Sequence, residues 1–543
     1  GTRRSGGIQM YEIEMTPRSK LKPLFRGTIT IADRSFAVVG VDLVPNETFN
    51  FPFLRDIRLR YRQQFALYDS LFWMPADIRI EGGFNVSFAG LGIPRVGFRQ
   101  VSSIYDYALN VPVPDSVLHQ RTVTTDSLAG VYDSTTWNSK MVVPLTIGES
   151  SAYRTLDSTE TLEKQFRPGG VLGSLGGDET NGAGSLLGMI DARYTRVEGL
   201  YLGGSKEFRI TGGNATLGMA AGYGFSDRRG QFTGSVSVDV AGPGVFTVGA
   251  SGYNRAERVP DGGYYGAIVN SVSALINKID YPDYYRALGW SAWADASTGR
   301  RFSARLTFIS QRESPMDAAA GYSLAGGDTP FRANPRAVPG NRRSIGITAR
   351  FGRRSEPLDI VTATNLEFTV EHSSPEILNS AFDYTRVAST LTWSIPTFGR
   401  DLLFPPSLRV RIFSGKGFGT LPPQRTLSAD ARSGIIGPFG TLRAGALREI
   451  AGDAVVSITA EQNFRNLPFL LLDLPFLYEN SVELIVHGAL ARAWRGGEPG
   501  PGGWYAEAGI GINRILDLGR ADLTYRFREP RRLYITLSVA SFL

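Results

Sequence analysis

A chain of 543 residues has room for two or three domains, or for one large barrel with a smaller unit. It contains no cysteine, which excludes disulfides, thiolate metal sites and cysteine nucleophiles. Its net charge of +7 comes from seven lysines and 51 arginines against 51 acidic residues. The arginines are scattered, with no long basic run, so the clustered footprint of a nucleic-acid binder is missing and no nucleic-acid partner is expected.

The opening Gly1-Thr2-Arg3-Arg4 lacks the apolar core of a signal peptide, and the chain is expected to be processed or truncated there. Residues 8–100 are β-rich. Thr28-Ile29-Thr30-Ile31 and Phe36 to Val41 flank Asp33-Arg34 and read as a hairpin. Asp56–Gln64 alternates charged and apolar residues, and Trp73-Met74-Pro75 closes a further segment. A β-sheet domain over residues 1–105 is the expectation. Residues 106–190 read as an irregular segment. Within it, Thr146-Ile147-Gly148-Glu149 resembles a capping box, and Tyr153, Leu156, Leu162 and Phe166 fall at helical spacings. Ser150–Arg167 is therefore a candidate short amphipathic helix. Pro168–Gly188 is a glycine-rich stretch, either a linker or a lumen plug.

From residue 191 to 543 the signal changes to long period-two segments. In Trp504–Arg514 one parity gives Trp504, Ala506, Ala508, Ile510 and Ile512, and the other gives Tyr505, Glu507, Gly509, Gly511 and Asn513. Arg520–Arg528 sets Ala521, Leu523, Tyr525 and Phe527 against Arg520, Asp522, Thr524, Arg526 and Arg528. Similar alternation marks Phe232–Val240, Phe302–Phe308, Leu366–Glu371, Val456–Glu461 and Leu533–Ala540. Segments of about ten residues exceed the five or six usual in soluble strands and suit a tilted crossing of a bilayer. The fold class expected is all-β: an antiparallel transmembrane β-barrel behind a small periplasmic β-sheet domain and a short helix. About fifteen strands can be counted. Bacterial barrels have even numbers, which favours 16 strands, with 14 as the alternative. The missing strand is placed in Glu257–Arg286, otherwise a long extracellular loop. No run of 18 apolar residues exists; the longest approach, Phe469–Tyr478, is interrupted by Asp473 and Pro475.

Tyr194-Thr195-Arg196-Val197-Glu198-Gly199-Leu200-Tyr201-Leu202-Gly203, with Gly222-Tyr223-Gly224-Phe225-Ser226-Asp227, resembles the opening of the surface-antigen barrels. These belong to the superfamily of outer-membrane assembly and two-partner-secretion translocators. Gly417–Pro422, Gly440–Gly445 and Gly452-Asp453 resemble the sixth extracellular loop of that superfamily. The resemblance implies that Arg443 folds back into the lumen and pairs with an acidic residue; Ala444 stands where the family motif has glycine. It also implies that the loop follows an odd-numbered strand, whereas the count above puts it after the tenth. Trp137, Pro144-Leu145-Thr146, Glu149, Tyr153 and Asp157-Ser158 are similar to an uncharacterised Bacteroidota outer-membrane family, as are Glu461-Gln462-Asn463-Phe464 and Tyr505–Asn513. Members usually carry a carboxypeptidase-regulatory-like front domain.

Little chemistry is offered for catalysis. His119, His372 and His487 are far apart, no metal-ligand spacing appears, and no phosphate loop follows a strand, so no cofactor or metal is expected. His372 and Ser374 share a strand face, but no third group is identifiable to orient the base, and the chain is not expected to be an enzyme. The inferred lumen side carries Glu198, Glu367, Glu371, Glu461, Glu483, Glu507 and Asp522 with Arg196, Arg305, Arg526 and Arg528. These form either an ion-pair network that stiffens the barrel or a gate in which Arg443 docks on Glu461 or Glu507. The resemblance implies a protein of the bacterial outer membrane, its front domain in the periplasm, that assists assembly or translocation of outer-membrane or surface proteins. Its partners would be outer-membrane lipids and envelope proteins or clients. The tandem client-capture domains of assembly barrels are not recognisable, which leaves open a scaffold subunit of an envelope complex, or a passive channel.

Overall fold

The computed structural model describes all residues except 6, 47–53, 89–90, 93–95, 113–189, 211–213, 243, 261–266, 300, 353–363, 400, 401, 403, 433, 438, 501–502 and 540–543. The helix expected at Ser150–Arg167, the stretch Pro168–Gly188 and His119 lie outside the described residues. The chain divides into two compact units, one of Gly1–Ser87 with Leu91–Gly173, the other of Phe88–Gly90 with Ser174–Leu543.

The first unit holds an antiparallel meander of β1 (Thr2–Ser5), β2 (Ile8–Met15), β3 (Phe25–Ala32), β4 (Val38–Pro45), β5 (Leu54–Tyr68), β6 (Phe72–Phe88) and β7 (Leu91–Gly92), with β8 (Val96–Ser103) pairing β6. The hairpin expected around Asp33-Arg34 is β3–β4. Between β5 and β6, Asp69 and Ser70 both take left-handed φ (47° and 56°), the mirror-image turn that matches strand twist. Trp73-Met74-Pro75 opens β6 and does not close a segment. A register shift between Gln64 and Phe65 sets Pro75 opposite Phe65, where a bulge removes the need for a ladder N–H.

The second unit closes into a barrel. Its strands are β9 (Ile190–Thr195), β10 (Gly199–Ile210), β11 (Ala215–Gly224), β12 (Arg229–Asp239), β13 (Phe246–Arg258), β14 (Tyr284–Thr298), β15 (Phe302–Pro315) and β16 (Gly340–Gly352). They continue with β17 (Asn365–Ser373), β18 (Tyr384–Pro396), β19 (Ser407–Gly419), β20 (Ala454–Asn463), β21 (Glu483–Arg495), β22 (Tyr505–Ile515), β23 (Gly519–Arg526) and β24 (Arg532–Val539). The pair Glu498-Pro499 and β22 both pair with β21 and form one rung, so seventeen ladder segments make sixteen strands. No strand lies between Glu257 and Arg286 beyond the ends of β13 and β14 among the described residues. That span instead carries a helix, α1 (Ala267–Asn277), because its apolar residues recur at three and four rather than at two. Two further short pieces are α2 (Pro375–Leu378) and the pair α3 (Leu467–Leu471) and α4 (Pro475–Glu479). The latter absorb the apolar run at Phe469–Tyr478, and no helix among the described residues is long and apolar enough to cross a membrane.

Burial along the strands is inverted relative to a soluble sheet. In β21, Glu483, Ile485, His487, Ala489 and Ala491 are buried while Val486 and Leu490 are exposed. In β23, Arg520, Asp522, Thr524 and Arg526 are buried while Leu523 and Tyr525 are exposed. Polar side chains point into the barrel and apolar ones out, which is stable only against hydrocarbon; this is a transmembrane barrel. Leu490→Arg is accordingly expected to cost about 2–4 kcal/mol in bilayers, against little in mild detergent where the charge reaches water. Urea titration of the reconstituted barrel checks this. An unchanged midpoint in bilayers would mean Leu490 does not face lipid.

Because strands alternate in direction, the connections after odd-numbered barrel strands all lie at one end, here the loop end, and the others at the turn end. Residues 420–453 follow β19, the eleventh strand, as a connection at the loop end must.

Candidate functional site

The 420–453 connection turns back into the barrel and is held on the inner wall. At its far part, Arg443 donates from Nη2 to Glu461 Oε1 of β20 at 2.5 Å, and its Nε lies 3.1 Å from Asp522 Oδ2 of β23. The main chain joins in: the Arg443 and Ala444 N–H groups donate to the two oxygens of Glu507 on β22, each at 2.7 Å. Arg520 is the bridge below, donating to both Glu461 oxygens (2.9 and 3.0 Å) and to Asp522 at 2.8 Å. All five side chains are at most 4% exposed. Charges this deep are tolerated only because each carboxylate meets several donors. Ala444 does not need the left-handed backbone that favours glycine, so the alanine fits where the resembled motif has glycine. Its carbonyl accepts from Arg526, which also forks onto Glu449 at 2.6 and 2.9 Å. Gly440 does need its glycine, with φ of 84°.

Apolar packing supplies the rest of the attachment. Leu427, Ala429, Ala431, Leu442 and Ile450 of the connection form one cluster with Val455, Ala489, Ala491, Ala493 and Tyr505 of the wall. Arg411 donates to the Gly440 carbonyl at 3.1 Å, and the Arg409 guanidinium sits 3.7 Å over the Phe439 ring.

A second anchor lies on β15–β18. Glu313 accepts from Arg425 (2.8 Å) and Gln424 (2.9 Å) of the connection and from Arg342 of β16 (2.6 Å). Arg342 also donates to Glu371 at 2.6 Å, and the Tyr384 hydroxyl donates to the same oxygen at 2.7 Å. The two anchors stand on β15–β18 and on β20–β23, so the connection crosses the lumen as a strap from wall to wall.

A third contact ties the strap to the other loops. Asp283, just before β14, pairs with Arg448 of the strap, with Arg332 at 2.7 Å and with Arg196 at 2.8 Å. Arg196 is fully buried and also donates to the carbonyls of Asp280 and Pro282 and to Asn334. Burial pulls its guanidinium below the ordinary value, and Asp280 opposes that.

Of the residues singled out in the sequence, the structure brings Arg443, Glu461, Glu507 and Asp522 together. Arg526 joins them through the Ala444 carbonyl, and Glu483 sits apart with Arg465 (2.9 Å) and Asn513 (2.7 Å). Glu367 pairs with Arg350, and Arg305 with Asp295, both away from the strap. Arg196 and Glu198 sit in the tight β9–β10 turn, not on a strand face. His372 donates or accepts at Thr385 Oγ1 (2.8 Å), and the Ser374 hydroxyl caps α2 by accepting from the Ile377 N–H. His487 lies 3.6 Å from Asp522. Among the described residues no group of His, Asp and Glu has metal-holding geometry. Sequence reading missed Glu313 and Arg342, although each falls on the polar parity of its strand, and it placed Arg520 on the polar face of Arg520–Arg528 without assigning it a partner. It also missed Arg425, for which the aperiodic loop offered no signal.

Residues 1–96 match a family described as a family of unknown function (DUF5686). That match lies on the front sheet, not on Trp137–Ser158 or the C-terminal strands. No curated protein matches the chain significantly. Among solved structures, the chain is similar to BamA from Haemophilus ducreyi lacking POTRA domains 1–3, with 12% identity over 64% of this chain and 68% of that one and a TM-score of 0.40. It is also similar to CdiB from Acinetobacter baumannii, with 10% identity over 64% of this chain and 57% of that one and a TM-score of 0.30.

Proposed function

We propose that the protein is a gated barrel of the bacterial outer membrane that assists insertion or export of outer-membrane or surface proteins through the seam between its first and last strands. The observation that carries this reading is the strap: a passive channel needs an open lumen, and here 420–453 crosses it between two buried ionic anchors. Arg443, with Glu461 and Glu507, holds the strap on the wall nearest the seam and acts as the gate. The seam lies between β9 (Ile190–Thr195) and β24 (Arg532–Val539). A strand edge at this seam can template an incoming strand. In this reading the loop end faces outward, the turn end faces the periplasm, and the front sheet is a periplasmic domain. No bond is made or broken, and no cofactor takes part.

The test is a mild-detergent pull-down of the tagged protein from its native membrane, read by mass spectrometry. Assembly lipoproteins or many barrel clients are the expected catch. A single stoichiometric partner would replace this reading with a scaffold role, since a scaffold holds one neighbour rather than a succession of clients.

A further inference from the structure

The edges of the first and last strands are each occupied by segments of loop-end connections. Leu200 of β10 faces β11 with its main chain, since its carbonyl accepts from the Phe225 N–H. Leu200 stands opposite Tyr194 in the β9–β10 register. In an antiparallel pair, the main-chain groups of two such opposed residues both point away from each other. The Tyr194 N–H therefore points to the seam. There it donates to the hydroxyl of Ser271 on α1, at 3.1 Å. One step on, past the end of β9, the Arg196 N–H donates to Asp280 at 2.6 Å and its carbonyl accepts from Ala319 and Ala320, both at 2.9 Å. α1 is seated by Ala274 and Leu275, which pack with Tyr194, Ala320 and Phe331. Val272 and Ile276, four residues apart on its other side, stay 50% and 38% exposed.

The last strand is treated in the same way from the opposite side. The Leu537 N–H donates to the Ile435 carbonyl at 2.5 Å, and the Gly437 N–H donates to the Leu537 carbonyl at 3.0 Å. Ile436 thus lies beside Leu537 as a parallel rung contributed by the strap. The two occupants also touch each other, because Gly434 abuts Ile279, two residues beyond α1; a Cβ there would come within 2.5 Å of the Ile279 Cδ1.

We propose that α1 and Ile435–Gly437 are a paired internal cap on the seam, standing where an extended client strand must pair, and that strand entry requires their displacement. This rests on the seam reading above and adds its regulation. The chemistry suits exchange. A side-chain hydroxyl and a two-bond parallel rung satisfy the edge groups against burial, yet each is weaker than the antiparallel ladder an incoming strand would supply. The strap links the two events. Ile435–Gly437 and Arg443 belong to one connection, and Gly437 packs against both Thr536 of β24 and the Arg443 side chain. Release of the Arg443 anchor therefore frees the cap on β24.

The cysteine-free chain makes the test clean. In lipid nanodiscs without any client, Ser271→Ala removes only the acceptor, and hydrogen exchange of the 190–198 segment should speed up about tenfold at one amide, with β15–β18 unchanged. Unchanged protection would overturn the cap on β9. Second, Tyr194→Cys/Ser271→Cys locks α1 to the edge when oxidised. A synthetic peptide with the sequence of β24, Arg532–Val539, carrying a photo-crosslinker, is the probe. Capture at β9 should be lost when the lock is closed and return on reduction. Equal capture in both states would overturn the proposal. If exchange responds to Ser271→Ala but no state captures the peptide, the cap stands and the reading of the seam as a strand-entry route falls.

Discussion

Arg443→Ala is expected to release the strap from the β20–β23 wall at a cost of about 3–5 kcal/mol, the usual penalty for removing one member of a buried ion pair. Glu461 keeps Arg520, with donors at 2.9 and 3.0 Å, so it is not stranded. The loss falls instead on Asp522, which must then share Arg520 with Glu461. Glu507 still receives the main-chain N–H groups of residues 443 and 444, but those two bonds depend on a chain path that the guanidinium holds in place. The expected readouts are protease cleavage within 420–453 of the folded barrel and a lower urea midpoint. Arg443→Lys restores the charge without the planar fork that reaches Glu461 and Asp522 together, and should recover the stability only in part. If Arg443→Ala leaves protease resistance and cellular phenotype both untouched, the residue is no gate.

The barrel was legible because its strands repeat one rule. Tyr505, Glu507 and Asn513 share a parity whose chemistry differs from that of Ala506, Ala508 and Ile510, and the structure buries the first set and exposes most of the second. The same rule gave Arg520, Asp522 and Arg526 their common face. What stayed hidden lacks a period. The helix α1 replaced the strand expected between Glu257 and Arg286. Parity also tells which side chains share the lumen without telling which of them touch. Arg425 reaches Glu313 across 112 positions of sequence, a contact fixed by the route of a loop and not by any spacing. The meeting of Arg443 with acidic residues was legible only through a resemblance. The role of Ser271, a small polar residue on one turn of a short helix, was not legible at all.

Removing both anchors should do what neither single change does. In Arg425→Ala the strap keeps Arg443 on β20–β23, and in Arg443→Ala it keeps Arg425 on Glu313 and Glu371. Each remaining anchor keeps its own part of the connection in the lumen while the part beside the lost anchor loosens, because both ends are fixed by β19 and β20. With Arg425→Ala/Arg443→Ala the restraint passes to the apolar cluster around Leu427 and Leu442 and to Arg448 on Asp283, both at the loop-end rim. The middle of the lumen then loses its two charge-assisted contacts at once. Glu313 retains Arg342 at 2.6 Å, so the wall itself does not collapse. Single-channel recording in planar bilayers is expected to show conductance near the closed level for each single variant and roughly tenfold larger openings for the double. That is the non-additivity expected of contacts that secure one element. Equal conductance in all three would mean that the strap does not block the lumen, and the gate would have to lie elsewhere. Large openings in Arg425→Ala alone would place the restraint on the β15–β18 wall, making Arg443 a support for the seam and not the latch.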